Sequence, residues 1–341
     1  MAYITFQPSD YFNTKLYTGN GSTQSITGVG FQPDWLWIKN RDGTNNHILQ
    51  DAVRGATKSL ESDGTGAETT SSTRVTSFDS DGFSIGSAGT NNTNTNNYVS
   101  WNWKANGSGS ANTDGSISST VSANTTAGFS IVKFTGTASN NTVGHGLSTA
   151  PRVIIAKNLG TTQNWFVFNK GMYDTDSTAY INLNTTDGKS QSSTVWQSTA
   201  PTSSVFSTGA AFSAHDYVAY CFSDVKGFSK SGVYSGNNSS DGIFVYTGFR
   251  PAWVVVKRYG ANGDNWSILD STRNTFNVMN KYLDPNSTNA EGTADIWDFT
   301  SNGFKMRNTF SGYNASGATF IYMAFAEHPL VSSNDIPATA R

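Results

Sequence analysis

The arrangement of apolar and polar residues along this chain repeats three times. The clearest segment sets a proline two positions before four apolar residues and a lysine, as in FQPDWLWIKN at residues 31–40. It returns as TAPRVIIAKN at residues 149–158 and as FRPAWVVVKR at residues 249–258. Proline cannot donate to a strand ladder, and the apolar run is too short for a typical helix. We therefore predict three buried, central β-strands, each entered from a loop at its proline.

Further segments recur in the same order around each central strand. An aromatic residue with a glycine turn precedes it, a strand signal led by asparagine follows it, and an aromatic-rich strand closes each copy. The closing strands read YVSWNW at residues 98–103, YVAYCF at residues 217–222 and FIYMAF at residues 320–325. Features that keep their order and spacing in three copies indicate a triplicated unit of roughly one hundred residues.

Short strand signals separated by polar turns predict an all-β protein of three tandem antiparallel β-sandwiches, jelly-roll or lectin-like in type. The tract between the first two units is rich in Gly, Ser, Asn and Thr, which is typical of a flexible linker. The predicted segments are an N-terminal docking segment at 1–12, repeat 1 at 13–105, the linker at 106–127, repeat 2 at 128–226, repeat 3 at 227–331 and a C-terminal tail at 332–341.

The amino-acid composition argues against nucleic-acid and membrane partners. Charged residues make up 13% of the chain, about half of the usual share of roughly 25%. The net charge is −2, without a basic stripe for nucleic acid or a polybasic run for anionic lipid. No apolar run approaches the length of a membrane span, and the start of the chain lacks the features of a signal peptide. We expect a soluble protein without nucleic-acid or membrane partners, whose single cysteine, Cys221, is a buried apolar side chain.

The search for reactive or metal-binding groups gives little. None of the histidines has a second His or Cys at ligand spacing, so no metal and no cofactor is expected. DSDG at residues 79–82 has part of a calcium-loop pattern but lacks the later acidic positions, and we interpret it as a turn. The histidines are His47, His145, His215 and His328.

An acidic and a basic residue three positions apart recur in the first and third copies and are lost in the second. A catalytic carboxylate would need a second acid and a cleft, so we interpret each pair as a structural salt bridge or turn clamp. The pairs are Asp51 with Arg54 and Asp270 with Arg273, and Asn169 and Met172 occupy these places in the second copy.

A lysine ends each central strand, at Lys39, Lys157 and Lys257. A lysine in this position usually extends its ammonium group to solvent, and we expect that here. The strand tryptophans are expected to fill the core, although outward-facing ones could stack on sugar rings.

Together these motifs resemble those of a family of uncharacterised structural proteins from tailed bacteriophages, especially marine phages. The resemblance rests on the repeated proline-led segment, DAVRG at residues 51–55, SFDSDGF at 77–83, YVSWNWK at 98–104 and AFAEHPL at 324–330. It is strongest in the first and third copies, and the second replaces Asp-Trp by Arg-Val. The resemblance implies a virion component, in a tail fibre or a head decoration, and brings no catalytic residues.

The resemblance and the lack of converging reactive groups predict a non-enzymatic virion protein, a tail fibre or spike component that contacts the host surface. Its expected partners are other virion proteins, a host surface glycan or protein, and further copies of the chain in a homo-oligomer, with a trimer favoured. Two alternatives stay open. One is a capsid decoration or tail-shaft protein without receptor binding, and the other is a glycan-cleaving enzyme using carboxylates such as Asp270, Asp284, Asp295 and Asp298.

Loops rich in Asn, Gly and aromatic residues supply the candidate host contacts, and the apolar N-terminal segment supplies a docking surface. We expect that segment to dock either on its own chain or on a partner subunit. The candidate binding residues are Asn94, Asn96, Tyr259, Asn262, Tyr313 and Asn314, and the candidate docking residues are Tyr3, Phe6 and Tyr11.

Overall fold

The proline-led segment of each unit forms a central β-strand, as the sequence predicts. The computed structural model describes residues 6–327, 330–331 and 337–338 of the chain. In this part the regular structure is almost entirely antiparallel β-sheet, with helices of a single turn. The predicted all-β class, with tandem antiparallel sandwiches, is therefore confirmed.

The first unit packs a six-stranded sheet on a three-stranded sheet, after a 3-10 turn at Pro8–Asp10. Its elements are β1 (Phe12–Thr18), β2 (Gln24–Thr27), β3 (Trp35–Asn40), β4 (Ile48–Asp51), β5 (Lys58–Glu61), β6 (Thr69–Thr70), β7 (Val75–Asp79), β8 (Gly82–Ile85), α1 (Gly89–Asn92) and β9 (Asn97–Trp103). The strand orders are β1-β9-β3-β4-β5-β6 and β2-β8-β7.

The second unit packs an eight-stranded sheet on a two-stranded sheet. Its elements are β10 (Ser110–Asn112), β11 (Ser119–Asn124), β12 (Phe129–Thr135), β13 (Asn141–Gly144), β14 (Val153–Asn158), β15 (Phe166–Asn169), α2 (Lys170–Tyr173), β16 (Ala179–Asn182), β17 (Ser190–Gln191), α3 (Ser193–Trp196), β18 (Val205–Thr208) and β19 (Asp216–Phe222). The strand orders are β10-β11-β12-β19-β14-β15-β16-β17 and β13-β18.

The third unit packs two four-stranded sheets on each other. Its elements are β20 (Ser229–Ser235), β21 (Phe244–Tyr246), β22 (Pro251–Arg258), β23 (Ser267–Asp270), β24 (Met279–Tyr282), β25 (Gly292–Thr300), β26 (Gly303–Met306), α4 (Ser311–Asn314) and β27 (Thr319–Ala326). The orders are β20-β27-β22-β23 and β21-β26-β25-β24. After it, β28 (Leu330–Val331) pairs with β29 (Pro337–Ala338), and the rest of the predicted tail lies outside the described residues.

The three units share one topology. The closing strand lies between the first strand and the proline-led strand in each unit, in the orders β1-β9-β3, β12-β19-β14 and β20-β27-β22. The register also agrees, because Trp37 pairs with Trp101, Ile155 with Tyr220 and Val255 with Met323. Equivalent positions can therefore be compared directly from unit to unit.

The proline-led strands are apolar throughout because both of their faces are buried. In β3, Leu36 and Ile38 point into the first sandwich, whereas Trp35 and Trp37 point to the opposite face. Successive side chains of a strand alternate between the two faces of the sheet. A continuous apolar run is the pattern expected when neither face meets water.

The second face of each large sheet packs against the other two units. This central core contains aromatic contacts across all three junctions, in addition to the separate core inside each sandwich. Trp35 stacks on Tyr220 with ring centroids 4.4 Å apart, and Trp103 meets Trp253 at 5.6 Å. The junction of the second and third units includes Phe222 and Phe325 at 6.0 Å. The three sandwiches therefore form a closed ring around a shared interior.

The prediction of a flexible linker at residues 106–127 is wrong. This segment, the strap, contributes β10 and β11, and β11 pairs with β12 along its whole length. Ile117 also forms a bridge with Val143 of the smaller sheet. Small residues permit this pairing, because a Cβ atom at Gly115 would lie 2.4 Å from the carbonyl oxygen of Thr142. The small residues that make this segment resemble a linker are therefore needed where its backbone lies close to neighbouring strands.

The N-terminal segment docks on its own chain. The ring of Phe6 lies 5.4 Å from the ring of Phe228, between the second and third units, and Tyr11 lies 6.3 Å from the same ring. Docking on its own chain and docking on a partner subunit were both predicted. For Phe6 and Tyr11, the structure shows docking on the same chain. Tyr3 lies outside the described residues.

Candidate functional site

The junctions between units contain the most distinctive polar groups of the protein. The three strand-end lysines, named here the buried lysines, are at most 1% exposed, so the predicted extension into solvent is wrong. Each ammonium group donates to one carbonyl of its own unit and to one threonine carbonyl of a neighbouring unit. The contacts across units join Lys39 to Thr288 at 3.0 Å, Lys157 to Thr65 at 2.9 Å and Lys257 to Thr186 at 2.9 Å.

These contacts run in one direction around the ring. The first unit donates to the third, the third to the second, and the second to the first. Such head-to-tail contacts close only if the rotation between units allows it, and here three units complete the circle. Burial lowers the pKa of each buried lysine to about 8.

A second contact between units involves the aromatic residue directly before β4, β15 and β23. The indole N–H of Trp165 donates to the carbonyl of Glu61 at 3.0 Å, and that of Trp266 donates to Asn182 at 3.0 Å. His47 holds the equivalent position in the first unit, and its pKa is lowered well below the usual range by burial and by Lys39, against the opposing effect of the Asp284 backbone. This histidine is therefore a neutral packing residue.

The recurring acid–base pairs lie at the same junctions. Asp270 and Arg273 are buried, with Nε 2.5 Å from Oδ2, and the carboxylate also accepts from the indole N–H of Trp101 in the first unit at 3.0 Å. Arg273 extends the network by donating to Glu291 at 3.1 Å. The structural interpretation of this pair fits its position, because each carboxylate oxygen is directed at a partner inside the core.

The first unit repeats the arrangement against the second. Arg54 binds Asp51 with Nε 2.5 Å from Oδ2, and the hydroxyl of Tyr220 donates to the same carboxylate at 2.8 Å. Burial acts to lower the pKa of Arg54, but Asp51, Tyr220 and Glu68 together raise it above its usual value.

The second unit lacks the acid–base pair, and the third unit lacks the hydrogen-bond donor that would face it. Asn169 accepts from the backbone N–H groups of Gly171 and Met172, and thus caps the one-turn helix α2. The residue of the third unit equivalent to Trp101 and Tyr220 is Met323, which has no hydrogen-bond donor. Met172 and Met323 both belong to the central core. Ionic and apolar versions of the same junction therefore coexist in one molecule.

A small void lies in the central core. It has a volume of about 20 Å³ and is lined almost entirely by apolar side chains, among them Trp37, Ile155 and Trp253. A space of this size holds about one water molecule. The middle of the ring is thus closely packed.

A larger depression, the junction groove, opens between the first and third units. It lies between the start of β1 and the turn at residues 271–275, and it has a volume of about 320 Å³. This value falls within the usual range of small-ligand pockets. Sequence reasoning missed the groove because its two walls are separated by most of the chain, although the Ser/Thr-rich turn after Asp270 was a visible signal.

The structure separates the predicted host-contact residues into two groups. Asn94, Asn96 and Asn262 lie in loops and reach the surface, although Asn262 also accepts from the backbone N–H of Gly188 at 2.8 Å. Tyr259, Tyr313 and Asn314 are buried, so their assignment as host contacts is wrong.

Asn314 and Tyr313 have structural roles that recur in the first unit. Asn314 accepts from the backbone N–H of Asn237 at 2.9 Å, as Asn92 does from Asn20 at 2.8 Å. The carbonyl of Tyr313 accepts from the hydroxyl of Tyr234 at 2.9 Å. Asparagine-rich loops attract attention as binding sites, but here the amides hold turns together.

The carboxylates named for an enzymatic alternative lie in unlike environments. Asp270 is bound to Arg273, and Asp284 is buried and accepts from Ser267 at 2.7 Å. Asp298 pairs with Arg307 at 3.2 Å, and Asp295 is exposed. Burial raises the pKa of Asp284.

Two further features concern metals and membranes. Within residues 6–327 and the two short C-terminal strands, no group of three or more His, Cys, Asp or Glu side chains is placed to bind a metal ion. No helix in the described part is long and apolar enough to cross a bilayer. Cys221 is buried, and burial raises the pKa of its thiol. His328 lies outside the described residues.

Comparison with known proteins gives one match. No curated protein and no solved structure matches the chain. A family described as a domain of unknown function, DUF7483, matches residues 7–329. The matched residues extend over all three sandwiches. The chain therefore belongs to the DUF7483 family of domains of unknown function.

Proposed function

We propose that this protein is a non-enzymatic structural component of a tailed-bacteriophage virion, in a tail fibre or spike that contacts the host surface. The assignment to a particle rests on the sequence resemblance. The observation that carries the structural role is the aromatic core shared by three units. A virion protein must keep its shape outside the cell, and a closed ring with buried contacts at every junction supports that requirement.

The distribution of titratable groups supports a role without catalysis. Catalytic sites bring such groups together in an accessible cleft. Here the buried carboxylates Asp51 and Asp270 are each bound by an arginine and by a donor from the next unit. The buried lysines donate to backbone carbonyls at the junctions.

The proposal takes a single chain as the functional unit in place of the homotrimer expected from the sequence. The apolar faces of the three large sheets pack on one another inside one chain, where they form the central core. Light scattering should accordingly give the mass of one chain, and a stable trimer would contradict this part of the proposal.

The decisive experiment is localisation on particles. Gold-labelled antibodies against the purified protein, with preimmune serum as the control, should decorate intact particles of the encoding phage at the tail. Labelling of the head would favour a capsid decoration without receptor binding. Particles that carry neither label nor peptides of this chain by mass spectrometry would overturn the proposal.

A further inference from the structure

We propose that the junction groove is a binding site for a neutral saccharide. The first wall comes from β1 and the preceding turn, with Phe12, Asn13 and Thr14, and the second from the third unit, with Ser271, Thr272 and Thr275. The site therefore exists only when the first and third units have closed the ring. The inference deepens the proposed host contact and rests on it for its biological purpose.

The first argument is an unpaired hydroxyl group. Thr14 is 8% exposed, and its Oγ1 atom is buried without a hydrogen-bond partner. A buried hydroxyl without a partner is unfavourable in a folded protein, and each case calls for an explanation. The Thr14 side chain lines the groove, and rotation about its Cα–Cβ bond would bring Oγ1 to the open side, where a ligand hydroxyl would supply the missing partner.

Comparison of the units shows that the fold does not require this unpaired group. The residue equivalent to Thr14 is Ile131 in the second unit and Ser231 in the third, from the pairing of each first strand with its closing strand. Ile131 is apolar, and the hydroxyl of Ser231 donates to Asp224 at 2.9 Å. Only at the junction groove does this position combine burial, a hydroxyl group and the lack of a partner.

The second argument is the chemistry of the walls. Serine, threonine and asparagine side chains donate and accept hydrogen bonds, as sugar hydroxyls do. The floor consists of apolar groups from Phe12, Ala252 and Ala326, suited to the C–H face of a sugar ring. Saccharide recognition needs this mixture, whereas a purely apolar ligand would be held by a mainly hydrophobic pocket.

Charge indicates a neutral ligand. Among the described residues that line the groove there is no lysine or arginine, the usual partners of phosphate and carboxylate groups. The one charged residue is Glu327, whose carboxylate pairs with Arg250 at 2.5 Å. An anionic sugar would therefore find no cationic partner among these lining residues and would lie near the Glu327 carboxylate.

An exposed aromatic ring adds to the case. Phe276 directly follows the groove residue Thr275 and is 78% exposed, the largest value among the exposed large hydrophobic residues. Single exposed apolar side chains are common on protein surfaces, and this one is relevant because it lies next to a residue that lines the groove. The ring is available to stack on a second sugar unit of a longer glycan.

The test measures binding of neutral sugars to the protein by saturation-transfer NMR. The sugars are glucose, galactose, mannose and N-acetylglucosamine, and glucose 6-phosphate is the charged comparison. Thr272→Trp places a bulky side chain at an exposed wall position and should abolish the signal. Thr27→Trp is the matched control, because its equivalent in the third unit is Tyr246 and the fold accepts a ring there. Thr14→Val should weaken binding about twofold to tenfold, the effect of one neutral hydrogen bond, without lowering the unfolding midpoint.

The expected result is transfer to at least one neutral sugar with the wild type and Thr27→Trp, and none with Thr272→Trp. Transfer that persists in Thr272→Trp, equal or stronger transfer to glucose 6-phosphate, or no transfer to any neutral sugar would overturn the assignment. If no neutral sugar binds but the antibodies label the phage tail, this inference alone is refuted. Sugar binding by a protein missing from particles would refute the proposed function alone.

Discussion

Removal of one partner from the Asp270–Arg273 pair should destabilise the protein more than removal of both. Arg273→Met deletes the guanidinium that lies 2.5 Å from Oδ2 of Asp270 and leaves that carboxylate in the core. The double variant Asp270→Asn/Arg273→Met instead reproduces the residues that the second unit uses, Asn169 and Met172.

The magnitudes follow from burial. Both side chains of the pair have 0% exposure, so solvent cannot compensate the unpaired carboxylate. Breaking such a buried pair from one side costs about 3–5 kcal/mol, whereas replacing both partners is often close to neutral. In the double variant the amide oxygen of the introduced asparagine can still accept from the Trp101 indole N–H, which lies 3.0 Å from the Asp270 carboxylate in the wild type. We expect a loss of about 4 kcal/mol for the single variant and less than about 2 kcal/mol for the double variant.

The assay is denaturant unfolding followed by tryptophan fluorescence, with free energies obtained by linear extrapolation. Lys133→Met is the control, because its partner Asp216 lies 3.2 Å away and both side chains are well exposed. Exposed pairs contribute about 0–1 kcal/mol. A single variant as stable as this control, or a double variant no more stable than Arg273→Met, would refute the reasoning.

Three further predictions concern the junctions and the strap. Above about pH 9, the raised pKa of the Cys221 thiol and of buried tyrosines such as Tyr313 favours retention of protons by the folded chain. Between about pH 8 and 9 the unfolded chain should hold more protons than the folded one, because burial lowers the pKa of each buried lysine to about 8, whereas an ordinary lysine titrates near 10.4. Stability should therefore rise with pH in this window, measured as the denaturant midpoint, and a fall would contradict it. Limited thermolysin digestion should spare the strap, because its strands are paired, and early cleavage there would restore the linker interpretation. Gly115→Ala should cost about 1–3 kcal/mol through overpacking, whereas Gly66→Ala, with no atom within 4 Å of the added Cβ, should leave the unfolding midpoint unchanged.

Local patterns predicted the strands well. The proline, the apolar run and the lysine of each copy mark a strand that is central in its sheet, and the aromatic closing strands pair directly with it. The structural interpretation of the acid–base pairs also agrees with their burial. Each of these inferences depends on residues that are close in sequence, where spacing alone determines which side chains share a face.

Predictions failed where they depended on whether a residue is covered by a distant part of the chain. The buried lysines were expected in solvent because a lysine usually reaches water, but each donates to one carbonyl of its own unit and to one of another unit. Tyr259, Tyr313 and Asn314 were assigned to loops open to a host, yet they are buried. The junction groove joins residues from opposite ends of the chain, so no local signal could define it.

The sequence by itself determined three copies of one antiparallel module, the succession of its strands along the chain and the burial of each central strand. Only the tertiary structure decided that the second buried face packs on the other two modules, and that the strap adds strands to a sheet. The physical reason is that the spacing of apolar residues shows that a face avoids water, whereas the surface that covers it depends on the fit of distant segments.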